Sequence, residues 1–170
     1  MTTRRLLQRQ FEIAWGLLDY HLERMNDEDL HWRVAPVVWD IHRAGNEWVP
    51  DFAETEPDPV PVPTVAWVTW HIDWWWSTAH AHLTKTPPPT RDQIGWPGAA
   101  EAVKDRLRGL RREWATALSG CADLDQASAY PWPIELGYSA ADMCAWVNVE
   151  LTKNAAELGQ TLMIRAVSPR

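Results

Sequence analysis

Three polar residues, His71, Glu150 and Asn154, lie in apolar stretches at spacings that place them on or beside the inward faces of helices. Glu150 and Asn154 are four residues apart and therefore share one side of a helix. If that side meets His71, an imidazole, a carboxylate and an amide oxygen form a three-point site. The first two are good ligands for zinc, nickel, iron or manganese, whereas a neutral amide oxygen is a weak one.

Both strong donors also have a purely structural interpretation. A single histidine on an apolar face is commonly a hydrogen-bonded core residue, and His71 fits that description. Glu150 with Glu157 and Lys153 resembles a flank of solvated charges, because an isolated buried carboxylate is expensive. Spacing alone leaves these alternatives open.

Tryptophan dominates the aromatic residues, with 13 Trp against 2 Phe. Indole faces offer large apolar area and attract cations. We therefore predict that a pocket between the second and fourth long helices holds an apolar or cationic small molecule. Its expected lining is Trp70, Trp74, Trp75 or Trp146. The same residues are also ordinary core residues, so composition favours this pocket only mildly.

Length and charge narrow the class of protein. The 170 residues suit a single domain spanning 1–170. A net charge of -7 and only 16 Lys and Arg argue against a nucleic-acid surface. No apolar stretch approaches the roughly 18 residues of a membrane span, and no signal peptide is apparent. We expect a cytoplasmic protein without a membrane partner.

Helical periodicity predicts four long helices and no strand. Helix one covers residues 3–25, and Thr64 caps helix two, which stops before the triple proline at 87–89. The segment "WPG" at residues 96–98 opens helix three, and Gly120 lies just past its end. Helix four covers residues 140–165 behind a cap at Ser139. The predicted fold is all-α, a four-helix bundle with a long, proline-rich crossover between helices one and two.

Three segments together resemble one family: "LHWRVAPVVWDIHRAGNEW", "VPVPTVAWVTWHID" and "WVNVELTKNAAELGQ", in this order. They are similar to the marked segments of the DinB/YfiT-like superfamily, particularly an actinobacterial branch with a "TIAWxxxHI" second helix and an "ExxxHxAEI" fourth helix. The resemblance covers most of the chain, although residues 85–138 match only in layout. It implies a four-helix bundle that is commonly a homodimer.

The resemblance also implies a site. Metalloenzymes of this superfamily hold a divalent metal through one histidine of the second helix and a His/Glu-x-x-x-His pair of the fourth. By position, His71 and Glu150 match two of the three ligands, while Asn154 stands where the expected histidine belongs. Several members are transferases or isomerases that use mycothiol or bacillithiol, and others are metal-dependent hydrolases.

Three functions follow from these observations. The first is a metalloenzyme with zinc, nickel or iron at a degenerate site, acting as a transferase with a mycothiol-type thiol or as a hydrolase on a small molecule. The second is a metal-free small-molecule-binding protein with a Trp-lined pocket. The third is an interaction or stress-related protein in which His71 and Glu150 only complete an internal hydrogen-bond network.

Overall fold

The computed structural model describes residues 1–168, which are mostly helical. Four long helices and one short helix make up the helical part, and four short strands precede the second long helix. In chain order they are α1 Thr3–Leu22, α2 Asp27–Leu30, β1 Val38–Trp39, β2 Ile41–Ala44, β3 Glu47–Pro50, β4 Val62–Pro63, α3 Val65–Thr84, α4 Ala100–Gly120 and α5 Ala140–Val167. None of the described helices is both long and apolar enough to cross a membrane.

The helix starts agree with the capping residues in the sequence. The hydroxyl of Thr64 accepts a hydrogen bond from the backbone N–H of Trp67 at the start of α3 (3.3 Å). Ser139 and Asp142 form a reciprocal capping box at the start of α5. The ends differ slightly from prediction, because α1 stops at Leu22 and α5 continues to Val167.

Large aromatic side chains fill the space between the long helices. Trp70, Trp76 and Trp114 are fully buried, and the rings of Phe11 and Trp15 pack on Trp76 at centroid distances of 5.8 and 6.2 Å. Burial of one such side chain contributes about 3 kcal/mol of apolar transfer free energy. The indole nitrogens of Trp76 and Trp114 have no hydrogen-bond partner among residues 1–168, so these two rings act as apolar core.

Polar contacts fix how the long helices lie. Asn148 on α5 donates to the carbonyl of Leu7 on α1 (3.1 Å), and further along both helices His21 lies against Gly159, so the two helices are parallel. On α4, Arg106 forms two 2.7 Å hydrogen bonds with the buried carboxylate of Asp73 on α3. These hydrogen bonds raise the pKa of Arg106 above its ordinary value, with burial opposing them and the negative charge of Asp73 adding to them.

The long connection between α1 and α3 corrects the expectation of a chain without strands. β2 and β3 form an antiparallel hairpin that pairs Ile41 with Pro50, and its turn contains Gly45 at φ 64°. β1 pairs in parallel with β4. Each strand has only two to four residues, which is too short for an alternating apolar pattern to be visible in the sequence.

Asp40 joins the two ends of this connection. Its Oδ1 atom accepts hydrogen bonds from Nδ1 of His31 (2.9 Å), the backbone N–H of Ile41 (2.8 Å) and the hydroxyl of Thr64 (2.8 Å). Because Thr64 also caps α3, the carboxylate fixes the position at which that helix begins. The connection thus positions the helix that carries His71.

Candidate functional site

His71 and Glu150 meet between α3 and α5, an arrangement that their spacing allowed but left open. Nε2 of His71 lies 3.7 Å from Oε1 of Glu150. The two side chains retain 21% and 14% of their exposure, so the pair lies at the edge of the core rather than inside it. This position leaves both groups accessible to a molecule at the surface.

Lys153 completes a cluster with this pair. Its ammonium group forms a salt bridge with the same Oε1 atom of Glu150 that faces His71. Burial opposes ionisation of Glu150, but the contacts of its carboxylate with His71 and Lys153 and the positive charge of Lys153 outweigh burial and hold the pKa of Glu150 below its ordinary value of 4.5. We call His71, Glu150 and Lys153 the anchor cluster.

Asn154 is bonded to residues outside the anchor cluster. Its Oδ1 atom accepts a hydrogen bond from the indole N–H of Trp75 (3.0 Å), and its Nδ2 group donates to Glu157 (2.8 Å). The side chain is buried. Both ends of the amide therefore have partners within the protein.

The His71 ring is held by aromatic neighbours on its own helix. It stacks on Trp67 with a centroid distance of 4.9 Å and an interplanar angle of 14°, and Trp74 meets it edge-on at 6.2 Å. Its Nδ1 atom is buried without a hydrogen-bond partner among residues 1–168. A neutral ring with its proton on Nε2, facing Glu150, avoids burying an unpaired N–H at Nδ1.

These observations test whether the residues fit the divalent metal that the family resemblance implies, and the fit is poor. Coordination through Nε2 of His71 places the proton on Nδ1, which is buried and has no hydrogen-bond partner within residues 1–168. Lys153 adds a positive charge at the Glu150 oxygen that would bind the ion, and the Asn154 oxygen already accepts from Trp75. Among residues 1–168, no three or more His, Cys, Asp and Glu side chains are grouped to hold a metal ion.

The four tryptophans predicted to line a pocket occupy two different environments. Trp70 and Trp75 are buried, and their indole N–H groups donate to the Ile94 carbonyl (3.2 Å) and to Asn154. Trp74 and Trp146 are only half-buried and keep part of their ring faces at the surface. A pocket lined by all four stays a prediction.

Tyr130 lies on the other side of the anchor cluster and was not anticipated from the sequence. Its hydroxyl donates to the carbonyl of Trp75 (3.4 Å), and its ring meets Trp146 edge-on at 5.4 Å. Burial raises the pKa of Tyr130 well above its ordinary value, and the negative charge of Glu150 raises it further.

Tyr130 could not be found from the sequence, because it lies in the loop before α5, where no periodic pattern marks it. The stacking of Trp67 on His71, by contrast, is readable from their four-residue spacing.

Comparison with known proteins yields one finding. Neither the curated proteins nor the solved structures contain a match to this sequence. The family model described as DinB superfamily matches residues 10–158, which include α3, the anchor cluster and most of α5. The match covers far more than half of the 170 residues and agrees with the resemblance seen in the three motif segments. The chain therefore belongs to the DinB superfamily.

Proposed function

We propose that this chain is a metal-independent, small-molecule-binding member of the DinB superfamily, and that the anchor cluster fixes the polar group of the ligand. One observation carries the proposal: Oε1 of Glu150 is contacted by both the Lys153 ammonium group and Nε2 of His71. The protein's own cation thus compensates the carboxylate that would otherwise bind a metal. The ligand's polar group then interacts with a preformed charge pair.

Aromatic surface beside the cluster supports an apolar body for the ligand. Phe52 keeps 39% of its exposure and meets the half-buried ring of Trp74 edge-on at 5.9 Å. On the far side, the half-buried ring of Trp146 adds a second face. Such surfaces bind flat apolar groups. The Arg91 guanidinium group already lies over the Phe52 ring, 3.4 Å from its centroid, so a cationic group of the ligand is expected at Trp146 rather than at Phe52. We infer a small, mostly apolar ligand that carries an amine or another hydrogen-bond donor for Glu150. An ammonium group can replace Lys153 there, because the Lys153 side chain is 49% exposed and can move into water, whereas a divalent metal also needs further strong ligands.

A metal-dependent transferase or hydrolase is the competing assignment, and the 3.7 Å approach of His71 to Glu150 favours it. In that function zinc, nickel or iron would be held by His71, Glu150 and Asn154, and a mycothiol-type thiol would be a co-substrate. The two assignments differ in a measurable quantity, the affinity for the ion itself.

Metal analysis of protein purified without a His tag and soaked in zinc, nickel or ferrous ion separates them. We expect substoichiometric metal in the wild type. Asn154→His supplies a third strong ligand, so we expect it to raise zinc affinity by about tenfold or more in calorimetric titration. Thr152→His is the matched control, because it adds a histidine at an exposed position of the same helix. Near-stoichiometric metal in the wild type that disappears in His71→Ala would establish the metalloenzyme instead.

Ligand binding is tested with benzylammonium, followed through the indole N–H signals of a ¹⁵N-labelled sample. Shifts at Trp74 and Trp146 are expected, together with about tenfold weaker binding in Glu150→Gln, because the amide lacks the charge that attracts the probe. Glu113→Gln, on the exposed side of α4, is the control. Equal affinity in wild type and Glu150→Gln would contradict the proposed role of the anchor cluster.

The wider assignment rests on the family resemblance and on surface composition. We assign the four long helices to a four-helix bundle with a long first crossover and the protein to the cytoplasm.

We also propose a homodimer. Exposed apolar surface for it is supplied by Leu6, Ile13 and Leu17 on α1 and by Val149 on α5. Ile13 and Val149 share a groove of about 540 Å³ between these helices. Sedimentation of wild type and Ile13→Lys tests this, since the charge should produce monomers.

A further inference from the structure

A second cavity lies at the other face of α5, where α1, α2 and α5 come together. Its volume is about 720 Å³, and its lining contains no member of the anchor cluster. This volume is within the range of pockets that hold small molecules. We call it the end cavity.

The two arginines of the end cavity differ in whether a carboxylate of the protein pairs with them. Arg165 donates to Asp29 and to Glu28, so its guanidinium group is shared between two carboxylates. Arg24 has no carboxylate within ion-pairing distance among residues 1–168. Its guanidinium group lies over the Tyr20 ring, 3.5 Å from the centroid, and donates to the Tyr20 carbonyl. Because arginine has five N–H donors, most of those of Arg24 are available to an anion.

His21 supplies a second polar group in this wall. Its ring meets Tyr20 edge-on at 5.2 Å and lies directly against the backbone of Gly159. A methyl group at position 159 would collide with the imidazole, so glycine is required for the ring to lie there. Burial, and after it the charge of Arg24, lowers the pKa of His21 below its ordinary value. The ring is therefore a neutral hydrogen-bonding group beside the cation.

Apolar side chains form the rest of the wall. Trp32 and Leu162 are half-buried, and Met163 is 62% exposed although it belongs to the lining. These residues offer an aromatic face and flexible aliphatic surface to an uncharged group. The nearby carboxylates of Glu28 and Asp29 disfavour a doubly charged anion such as phosphate. A single negative charge attached to an apolar body suits this combination.

We propose that the end cavity binds a small monocarboxylic acid, with its carboxylate on Arg24 and His21 and its apolar body against Trp32, Leu162 and Met163. This inference is independent of the proposed function, because it uses different residues and a ligand of opposite charge. Arginine provides the geometry for it, since its planar guanidinium group pairs with a carboxylate through two parallel hydrogen bonds.

The test is a titration of wild-type protein with phenylacetate, with phenethyl alcohol and inorganic phosphate as comparison probes. We expect phenylacetate to shift the indole N–H signal of Trp32 and to bind at least about tenfold more tightly than either comparison probe. Arg24→Gln should weaken phenylacetate binding by about tenfold or more. Arg112→Gln, an exposed arginine on α4, should leave it unchanged. Equal affinity in wild type and Arg24→Gln, or equal binding of the alcohol, overturns the proposal.

A second variant acts through shape rather than charge. Gly159→Ala displaces the His21 ring from its present position in the cavity wall and should weaken phenylacetate binding. Gly16→Ala is its control, because nothing lies within 4 Å of a methyl group there. Unchanged affinity in a folded Gly159→Ala protein would show that the acid does not use this wall. Shifts at Trp32 report on the end cavity, whereas shifts at Trp74 report on the anchor cluster, so the two proposals fail separately.

Discussion

His31 with Asp40 and His71 with Glu150 are two histidine–carboxylate pairs that differ in how completely they are bonded. The first has a 2.9 Å hydrogen bond, and the same carboxylate oxygen also accepts from Ile41 and Thr64. The second has a separation of 3.7 Å and an imidazole nitrogen without a partner among residues 1–168. The first pair joins structural elements. In the second, His71 Nδ1 is buried, and the capacity left for a ligand lies at Nε2 and at the Glu150 carboxylate.

The difference suggests where ligand chemistry belongs in this molecule. A carboxylate that already accepts three short hydrogen bonds contributes stability but has little to offer to a ligand. A looser pair contributes less to folding, and its remaining capacity is available for binding. This comparison supports the anchor cluster as the site and the Asp40 contacts as its support.

The largest expected effect is on the free energy of unfolding, when the carboxylates of Asp40 and Glu150 are removed one at a time. Asp40→Ala leaves two buried donors, the Ile41 N–H and the Thr64 hydroxyl, without an acceptor and removes the partner of the exposed His31 ring, so it should lower the free energy of unfolding by about 2 kcal/mol or more. Glu150→Ala leaves Lys153, which is 49% exposed and can be solvated, so about 1 kcal/mol or less is expected. Urea unfolding measures both values. Equal losses would contradict the comparison.

A smaller effect is expected where α3 meets Asn154. Trp75→Phe removes the N–H that bonds to Asn154 and leaves the amide oxygen unpaired, while Trp114→Phe removes an indole N–H that has no partner in the described part of the chain. Both changes delete similar volume from the core. The Trp75 variant should therefore be less stable than the Trp114 variant by about 1–2 kcal/mol. If thermal and urea unfolding give the reverse order, the hydrogen bond between Trp75 and Asn154 does not contribute the stability assigned to it.

The smallest expected effect is a pH dependence of the looser pair. The pKa of Glu150 is lower in the folded protein than its ordinary value of 4.5. Its contribution to stability is therefore fully present above about pH 5 and is lost as pH falls through the lower folded-state pKa. The stability difference between wild type and Glu150→Gln should stay constant from about pH 7 to 5 and decrease below about pH 4.5. If the stability difference between the two proteins does not change on acidification, Lys153 and His71 do not stabilise the charged form of Glu150.

The helices were predictable because their signals are local. Thr64 and Ser139 mark helix starts through hydroxyl caps, and both caps are present in the structure. The strands around Asp40 were not predictable, since Trp39 pairs beside Pro63 only after a turn of the chain brings β1 and β4 together. Their existence depends on contacts between residues distant in sequence, which periodicity does not detect.

The site was predictable in part for the same reason. His71 and Glu150 lie in family motifs and on or beside inward helix faces, so helix geometry allowed them to meet, although spacing alone left this open. The partner of Asn154 was not foreseen, because whether an amide binds a metal or an indole depends on side-chain orientation. The end cavity has no sequence signal either, since Arg24 and Met163 become neighbours only through the parallel packing of α1 and α5.

The Asp40 contacts also have a use in protein engineering. His31 and Thr64 are held at one carboxylate, so the segment between Ile41 and Pro63 leaves and returns to nearly the same point. Exposed residues Glu54, Thr55 and Glu56 lie within that segment. Because its ends are pinned, each doubling of its length costs only about 0.6 kcal/mol of closure entropy. An epitope or a small reporter domain inserted there should leave the start of α3, and the proposed ligand-binding surface that follows, in place.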